Sequence, residues 1–315
     1  MPTTDSARLF VTRTMPGSVM AKAASAGVDV VCAEGVVSRD ELVAEAHRSD
    51  GLVVTLSEPL DAAFFEAVTG SRLRIVSTMS TGIDHIDLLA ARSANIAVAR
   101  LPATITAPAT AELTWALILG VARGLLPARE DMLNGHWGRW DPWQWNGVQL
   151  EGATLGIIGY GAIGRRVARF GAAIGMHVLV ATRTPPAALE PSVEILNIAE
   201  LAARSDVISL HVPLTADTAG LVNSSFLSGV KRGAILINAA RGAIVDEAAL
   251  LSALDSGHLA GAGLDVHAVE PAVADSALVR HRKVLALPHI GSATVPTREA
   301  MAAEAVDAAI RGFTR

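Results

Sequence analysis

Short apolar runs alternate with amphipathic segments along this chain, and that alternation leaves few folds open. Strands and helices in regular alternation bury best as parallel sheets with helices on both faces. A first series of strand-like runs comprises RLFVTR (8–13), VDVVCA (28–33), GLVVTL (51–56), LRIVST (73–78) and IAVAR (96–100). Segments between them, such as Arg39 to Arg48 and Asp61 to Val68, carry a helical period. A second series begins at Thr154 with TLGIIG and HVLVA, followed by a weak run near VEIL. It continues with DVISLH (206–211), GAILINA (233–239), GAGLDV (261–266) and KVLAL (283–287). The chain therefore reads as α/β, with two doubly wound parallel-sheet domains and a cleft between them.

The junctions are legible. Pro102, Pro108 and the stretch Thr104–Thr106 interrupt the pattern after the first series. A long helix is expected from about Ala111 toward Leu133. The loop after it holds Trp137, Trp140, Trp143 and Trp145, four of the five tryptophans. Such a loop is either a partner surface or pocket wall, or a satellite core of its own. A last helix, from about Pro296 to Phe313, has no partner left in the second sheet and is expected to return to the first. This gives residues 1–101 with 290–315 as one domain and 102–289 as the other.

Composition narrows the partners. Hydrophobic residues make up 51% and charged residues 18% of 315, enough for two sizeable cores. A net charge of −5 implies no basic face and argues against nucleic acid. Cys32 is the single cysteine, so no internal disulfide or thiolate metal site can form; it reads as a small core residue. The start MPTTDSARLFVTR lacks the apolar centre of a signal peptide. No apolar run reads as long enough to span a bilayer, so the expectation is a cytoplasmic protein without membrane contact.

Three glycines carry the first functional signal. Gly159, Gly161 and Gly164 lie in TLGIIGYGAIG, between a short strand and a helix read from Ile163 to Ile174. That context makes the turn a dinucleotide fingerprint, with Ala162 and Ile163 opening the helix on which a pyrophosphate rests. The next strand ends in Thr182-Arg183-Thr184, eighteen residues after Gly164. Such fingerprints place an acid near there for the ribose 2′-hydroxyl. A guanidinium flanked by hydroxyls instead suits a 2′-phosphate. NADP(H) is thus the preferred cofactor, with NAD(H) the lesser alternative.

Three polar residues follow strands of the second sheet. Arg241 lies in NAARGAIVDE, Glu270 in LDVHAVEP and His289 in LPHIG. Reduction of a 2-keto acid needs these kinds of group. A guanidinium grips the carboxylate and steadies charge on the keto oxygen. An imidazole gives that oxygen a proton, and a carboxylate on the second ring nitrogen orients the ring and favours its charged form. A lone histidine after a strand is more often structural; the force of the reading lies in all three together behind one glycine turn.

With these residues the chain resembles the D-isomer-specific 2-hydroxyacid dehydrogenases over nearly its whole length. The matching segments are LGIIGYGAIG, SDVISLHVPLTADTAGLVN, FLSGVKRGAILINAARGAIVDEAAL, GAGLDVHAVEP, LPHIGSAT and, in the first domain, STGIDHIDL. The resemblance implies a Rossmann cofactor domain beside a flavodoxin-like substrate domain. It gives Arg241, Glu270 and His289 the catalytic roles just described. It places the substrate carboxylate on the amides of Thr81 and Gly82, with Arg241. It also puts Thr106 near the nicotinamide and His211, Val212 and Pro213 along the cofactor cleft. Ala239 and Gly291 join the cofactor contacts beside His289, and Asp265 holds the carboxamide. A homodimer through the cofactor domains, and no metal, are implied as well.

The chain departs from the family pattern in places. Ala162 stands where Arg is frequent; Arg165 or Arg166 compensates, or both are solvated helix charges. His267 and Ala268 stand where an aromatic and an acid are usual, leaving Glu270 in register. PATITAPATAEL is one residue longer than common versions.

The tryptophan-rich loop GHWGRWDPWQW is similar to that of the glyoxylate and hydroxypyruvate reductase branch. The expected activity is NADPH-dependent reduction of these small 2-keto acids to D-2-hydroxy acids. The alternatives are bulkier 2-keto acids, phosphite-type oxidation or, in another class, a non-enzymatic corepressor that senses the dinucleotide. Turnover separates that last reading from the others.

Overall fold

A computed structural model of the chain describes residues 6–185, 190 and 193–313. It divides into two compact units, one formed by the residues through Thr106 together with those from Ala293, the other by Ala107–Ser292.

The first unit holds β1 (Ala7–Val11), β2 (Val28–Cys32), β3 (Gly51–Val54), β4 (Ile75–Thr78) and β5 (Ala97–Ala99). They form a parallel sheet in the order β2-β1-β3-β4-β5. Leu9, Phe10 and Val11 are all buried although successive side chains point to opposite faces, so both faces are covered. Phe10, Leu52 and Val54 pack with α2 (Arg39–Arg48), α3 (Ala62–Ala67) and α4 (Leu88–Ser93). Leu9, Val11 and Val53 pack with α1 (Gly17–Ser25) and the last helix, α11 (Val295–Phe313), which returns to this sheet as expected. Helix starts follow the capping residues: Ser38 accepts from the Glu41 amide, Asp61 from Phe64, and Asp87 from Leu89 and Ala90. Cys32 closes β2 half-buried, its Sγ 3.8 Å from Met20 Sδ, and burial raises its thiol pKa.

The second unit is built on β6 (Thr154–Ile158), β7 (His177–Ala181), β8 (Val193–Ile195), β9 (Val207–Leu210), β10 (Ala234–Asn238), β11 (Leu259–Leu264) and β12 (Val284–Ala286). The order is β12-β11-β10-β9-β6-β7-β8. The chain runs outward from β6 to β8, then returns to lay β9 on the other side of β6. That reversal is the switch point where ligands bind in such sheets. Helices α5 (Ala103–Ala122) and α7 (Ala162–Ala173) cover one face through Trp115, Leu117, Ile118 and Val167. Helices α8 (Ile198–Arg204), α9 (Ser224–Ser228) and α10 (Glu247–Asp255) cover the other through Leu201, Leu227 and Leu250.

Two expectations need correction. The helix expected from Ala111 to Leu133 is two. Helix α5 already begins at Ala103 and carries Pro108 inside it; α6 (Leu125–Leu133) starts anew after Gly124, whose φ is +58°. Proline removes one ladder bond, to the Thr104 carbonyl, without ending the helix. The break comes instead where the returning chain takes the helix end: Val148 donates to the Ala122 carbonyl at 2.7 Å. A Cβ at Gly147 would stand 2.4 Å from that same oxygen. Second, α5 is 20 residues long with a window of mean hydropathy 1.4, so by length and composition it could cross a membrane. Of that window 61% is buried in the protein, which makes it a core helix. Its one proline, Pro108, and its threonines broke the apolar run as read from sequence.

Candidate active site

Arg241, Glu270 and His289 follow β10, β11 and β12, three neighbouring strands read from their carboxyl ends. Parallel pairing therefore delivers all three to one edge of one sheet.

Beyond β10 the buried Asn238 shapes the turn. Its Oδ1 accepts the Ala240 amide at 3.0 Å and its Nδ2 donates to the Arg241 carbonyl at 2.8 Å. Arg241 is half-buried, with Nη1 donating to the Ala240 carbonyl at 2.9 Å. The chain then enters a short 3-10 turn, Gly242–Ile244. A Cβ on Gly242 would stand 1.9 Å from the carbonyl carbon and oxygen of His267, so only glycine lets these two segments touch.

Glu270 and His289 form the centre. Oε2 of Glu270 lies 2.7 Å from Nδ1 of His289, and about a quarter of each side chain is exposed. Oε1 of Glu270 accepts the His267 amide at 3.0 Å. Partial burial by itself would raise the Glu270 carboxyl. The hydrogen bonds from His289 and from the His267 amide outweigh it, helped by attraction to His289, and hold the group below its ordinary range. The carboxylate is thus ionised and acceptor-only, which places the shared proton on Nδ1.

His289 itself has a φ of +55°, a left-handed conformation rare outside glycine. Asp265 holds it there. Its carbonyl accepts the His289 amide at 2.8 Å, while Oδ1 and Oδ2 accept the amides of Ile290 and Gly291 at 2.7 and 2.8 Å. Burial raises the Asp265 carboxyl, and those two amides and His289 pull against it. Asp265 therefore fixes the turn that presents His289, a duty the sequence reading did not give it. A Cβ at Gly291 would meet Asp265 Oδ2 at 3.0 Å, which is why the clamp closes on a glycine.

The glycine turn sits at the switch point. Gly159 has φ +101°, and a Cβ there would lie 2.4 Å from the His211 carbonyl oxygen. At Gly164 a Cβ would lie 2.1 Å from the Gly159 carbonyl. At Gly161 it would meet nothing within 4 Å. Two glycines are required by packing and the third leaves space in front of the helix. The first ladder bond of α7 runs from Arg165 N to Gly161 O. The amides of Ala162, Ile163 and Gly164 therefore point forward, as a pyrophosphate requires. Arg165 and Arg166 bond back to the Tyr160 and Ala162 carbonyls at 3.2 and 2.9 Å, beside the turn. The residues fit a dinucleotide.

Thr182, Arg183 and Thr184 follow β7. Thr182 Oγ1 donates to the Thr184 carbonyl at 3.3 Å. Arg183 is exposed and its Nη1 lies 3.5 Å from Oδ2 of Asp217, a loose and fully solvated pair. His211 follows β9, with Nε2 2.8 Å from Ser209 Oγ. Its Nδ1 is buried without a hydrogen-bond partner among the described residues. Burial lowers its pKa from 6.5 to about 3, so the ring is neutral. Val212 continues from it half-buried and Pro213 exposed, the Pro213 carbonyl accepting from Thr218 Oγ1 at 2.6 Å; Ala239 is buried. The unfolded chain binds protons to this imidazole from pH 6.5 downward while the folded chain does so only near pH 3. Stability is accordingly full above 6.5 and falls with acid between those values. Unfolding midpoints followed from neutral to mildly acidic pH should drop less steeply for His211→Gln than for the wild type.

In the first unit, Thr81 Oγ1 lies 3.2 Å from Thr106 Oγ1, and Ser80 Oγ donates to the Gly82 carbonyl at 2.6 Å. The loop STGIDHIDL and the start of α5 are thus joined within that unit. Three of the four loop tryptophans, Trp137, Trp140 and Trp143, are 55%, 78% and 83% exposed, which rules out a satellite core for them. Trp145 alone is anchored, its Nε1 donating to Asp131 at 2.9 Å.

Sequence reasoning missed Asn238, His267 and the clamp made by Asp265. Asn238 had a signal, an amide side chain at the last position of a strand before a turn.

Residues 115–291 match the family model of the D-isomer specific 2-hydroxyacid dehydrogenase NAD binding domain. A glyoxylate reductase of Thermococcus kodakarensis is 39% identical over 303 residues, 94% of this chain and 90% of that protein. A solved protein of Thermus thermophilus superposes with TM-score 0.90 at 40% identity, covering 98% of this chain and 97% of that one. An NADPH-dependent glyoxylate/hydroxypyruvate reductase of Sinorhizobium meliloti, solved with NADP and malonate, superposes with TM-score 0.83 at 32% identity, covering 96% and 92%.

Proposed function

This chain belongs to the D-isomer specific 2-hydroxyacid dehydrogenases and is an NAD(P)-dependent oxidoreductase; we propose that it reduces glyoxylate and hydroxypyruvate to D-2-hydroxy acids, with NADPH preferred. The observation that carries the reaction is the 2.7 Å contact of Glu270 with His289, which follow β11 and β12, at the same sheet edge as Arg241 after β10. The Thermococcus kodakarensis glyoxylate reductase and the Sinorhizobium meliloti glyoxylate/hydroxypyruvate reductase support the substrate.

Bound NADPH supplies the hydride, delivered to the keto carbon. Nε2 of the protonated His289 ring gives the keto oxygen a proton in the same step and leaves a neutral imidazole; the Glu270 carboxylate, hydrogen-bonded at Nδ1, stabilises the charged ring beforehand. Arg241 pairs with the substrate carboxylate and steadies the oxygen as charge gathers there. By the resemblance, the amides of Thr81 and Gly82 share the carboxylate. Asp265 and Gly291 hold His289 in place beside the cofactor. No step calls for a metal. Both reactants are water-borne, which suits a cytoplasmic enzyme without nucleic acid or membrane partners. The exposed Trp137, Trp140 and Trp143, with Leu125, Met132 and Leu133 of α6, form an apolar surface that supports a homodimer through the cofactor-binding unit. A single-chain mass by light scattering would remove that part of the reading.

The test is a keto-acid panel run with NADPH and NADH side by side, read at the nicotinamide absorbance. Glyoxylate and hydroxypyruvate should give the highest kcat/KM; a preference for bulkier acids moves the enzyme to another branch, and cofactor binding without any turnover favours the sensing role. NADPH preference has its own test. Thr182→Asp with Arg183→Ala should shift the ratio of NADPH to NADH affinity by about 1–3 kcal/mol toward NADH, the worth of a few charge-assisted hydrogen bonds plus a new repulsion. A wild type already favouring NADH contradicts the reading of Thr182-Arg183-Thr184.

A further inference from the structure

One residue outside the catalytic set touches all three segments that carry it. His267 is buried and lies three residues beyond the end of β11. Its amide donates to Oε1 of Glu270 at 3.0 Å. Its carbonyl lies against the α-carbon of Gly242, next to Arg241. Its ring Nε2 lies 3.0 Å from the carbonyl oxygen of Leu287, two residues before His289. A carbonyl can only accept, so Nε2 carries the proton and donates. The first two contacts use backbone and any residue could supply them. The third uses the imidazole, and no aliphatic or phenyl side chain could replace it.

We propose that His267 is a positioning residue: its Nε2–H, donating to the Leu287 carbonyl, pins the segment that carries His289 to the segment that carries Glu270. The geometry of the proton-donating pair depends on two short loops meeting to within a few tenths of an ångström. Glu270 hangs from the loop after β11, and His289 from the turn after β12. Leu287 is itself tied back to β11, its amide donating to the Leu264 carbonyl at 2.8 Å. The next contact outward along that turn is the His289 amide on Asp265. The His267 ring bonds the Leu287 carbonyl between these tethers. Without it, a half-buried acceptor loses its ring donor, and the loop is free to shift. The move would lengthen the bond between Glu270 and His289. The inference rests on the reading of that pair as the proton donor.

The experiment compares His267→Phe, which keeps a flat ring and loses the donor, with His267→Gln, whose Nε2 reaches about as far as the imidazole Nε2. With NADPH and glyoxylate, His267→Phe should lower kcat roughly tenfold, as for a half-buried carbonyl that loses its donor, and leave the Kd for NADPH within about twofold. His267→Gln should restore most of the lost kcat. A wild-type kcat in His267→Phe, or an equal loss in both variants, overturns the positioning role. His289→Asn is assayed in parallel. Loss there, with none in His267→Phe, defeats the His267 inference alone; no loss in either defeats the reading of the pair as well. Should His267→Phe fail to fold, the nitrogen NMR spectrum of the wild-type enzyme decides. Proton on Nε2 of His267 supports the pin, and proton on Nδ1 alone refutes it.

Discussion

His289→Asn is expected to lower kcat by two to four orders of magnitude, the range for removal of a positioned proton donor. Asparagine is the informative choice because His289 sits at φ +55°, a conformation that Asn adopts more readily than most residues. The backbone clamp from Asp265 to residues 289–291 can then survive while the imidazole is lost. The Kd for NADPH, measured by fluorescence titration, should stay within about twofold, since the ring acts on the substrate oxygen and not on the dinucleotide. A kcat close to that of the wild type would take His289 out of the chemistry. A loss confined to cofactor affinity would reassign it to binding.

The sequence announced the sheets almost in full. All twelve strands among the described residues lie within the runs that alternation marks out or within two residues of them, because the inner strands are buried on both faces and rich in Val, Ile, Leu and Ala. Even the weak run near VEIL pairs, as the edge strand β8 beside β7. Helix bounds fared less well around residue 108. There a proline that would end a free helix is carried within α5, whose Ala111, Trp115, Leu117 and Ile118 are buried against the sheet. The glycines separate instructively. Gly159 and Gly164 are fixed by contacts with backbone oxygens, Gly161 by open space, and the fingerprint alone does not tell these apart.

The site was legible at the level of residue types. Arg241, Glu270 and His289 were marked by their places after strands, and adjacency of β10, β11 and β12 explains why three such separated residues meet one edge. What supports them was hidden. No local pattern says that a histidine takes a left-handed backbone, that Asp265 spends both carboxylate oxygens on the turn behind it, or that the His267 ring bridges two loops. Those facts depend on pairs of residues 20 to 26 positions apart, and only register between neighbouring strands brings them together.

Arg241→Ala should damage both KM and kcat, with kcat/KM falling by roughly 2–5 kcal/mol, a factor of about thirty to several thousand. The two effects have separate causes. The guanidinium binds the substrate carboxylate in the ground state, so its loss raises KM. It also meets the charge that builds on the keto oxygen, an interaction present only as hydride arrives, so kcat falls as well. Lysine would keep the charge but not the planar fork, and Arg241→Lys should recover part of the KM loss and less of the kcat loss. The turn itself should persist in both variants, because Asn238 holds residues 240 and 241 by their backbone amide and carbonyl and not through the guanidinium. Steady-state kinetics on glyoxylate, with NADPH affinity measured in parallel, separates the contributions. If KM and kcat for the keto acid are unchanged and only NADPH binds more weakly, the guanidinium serves the cofactor, and the substrate carboxylate must be held elsewhere.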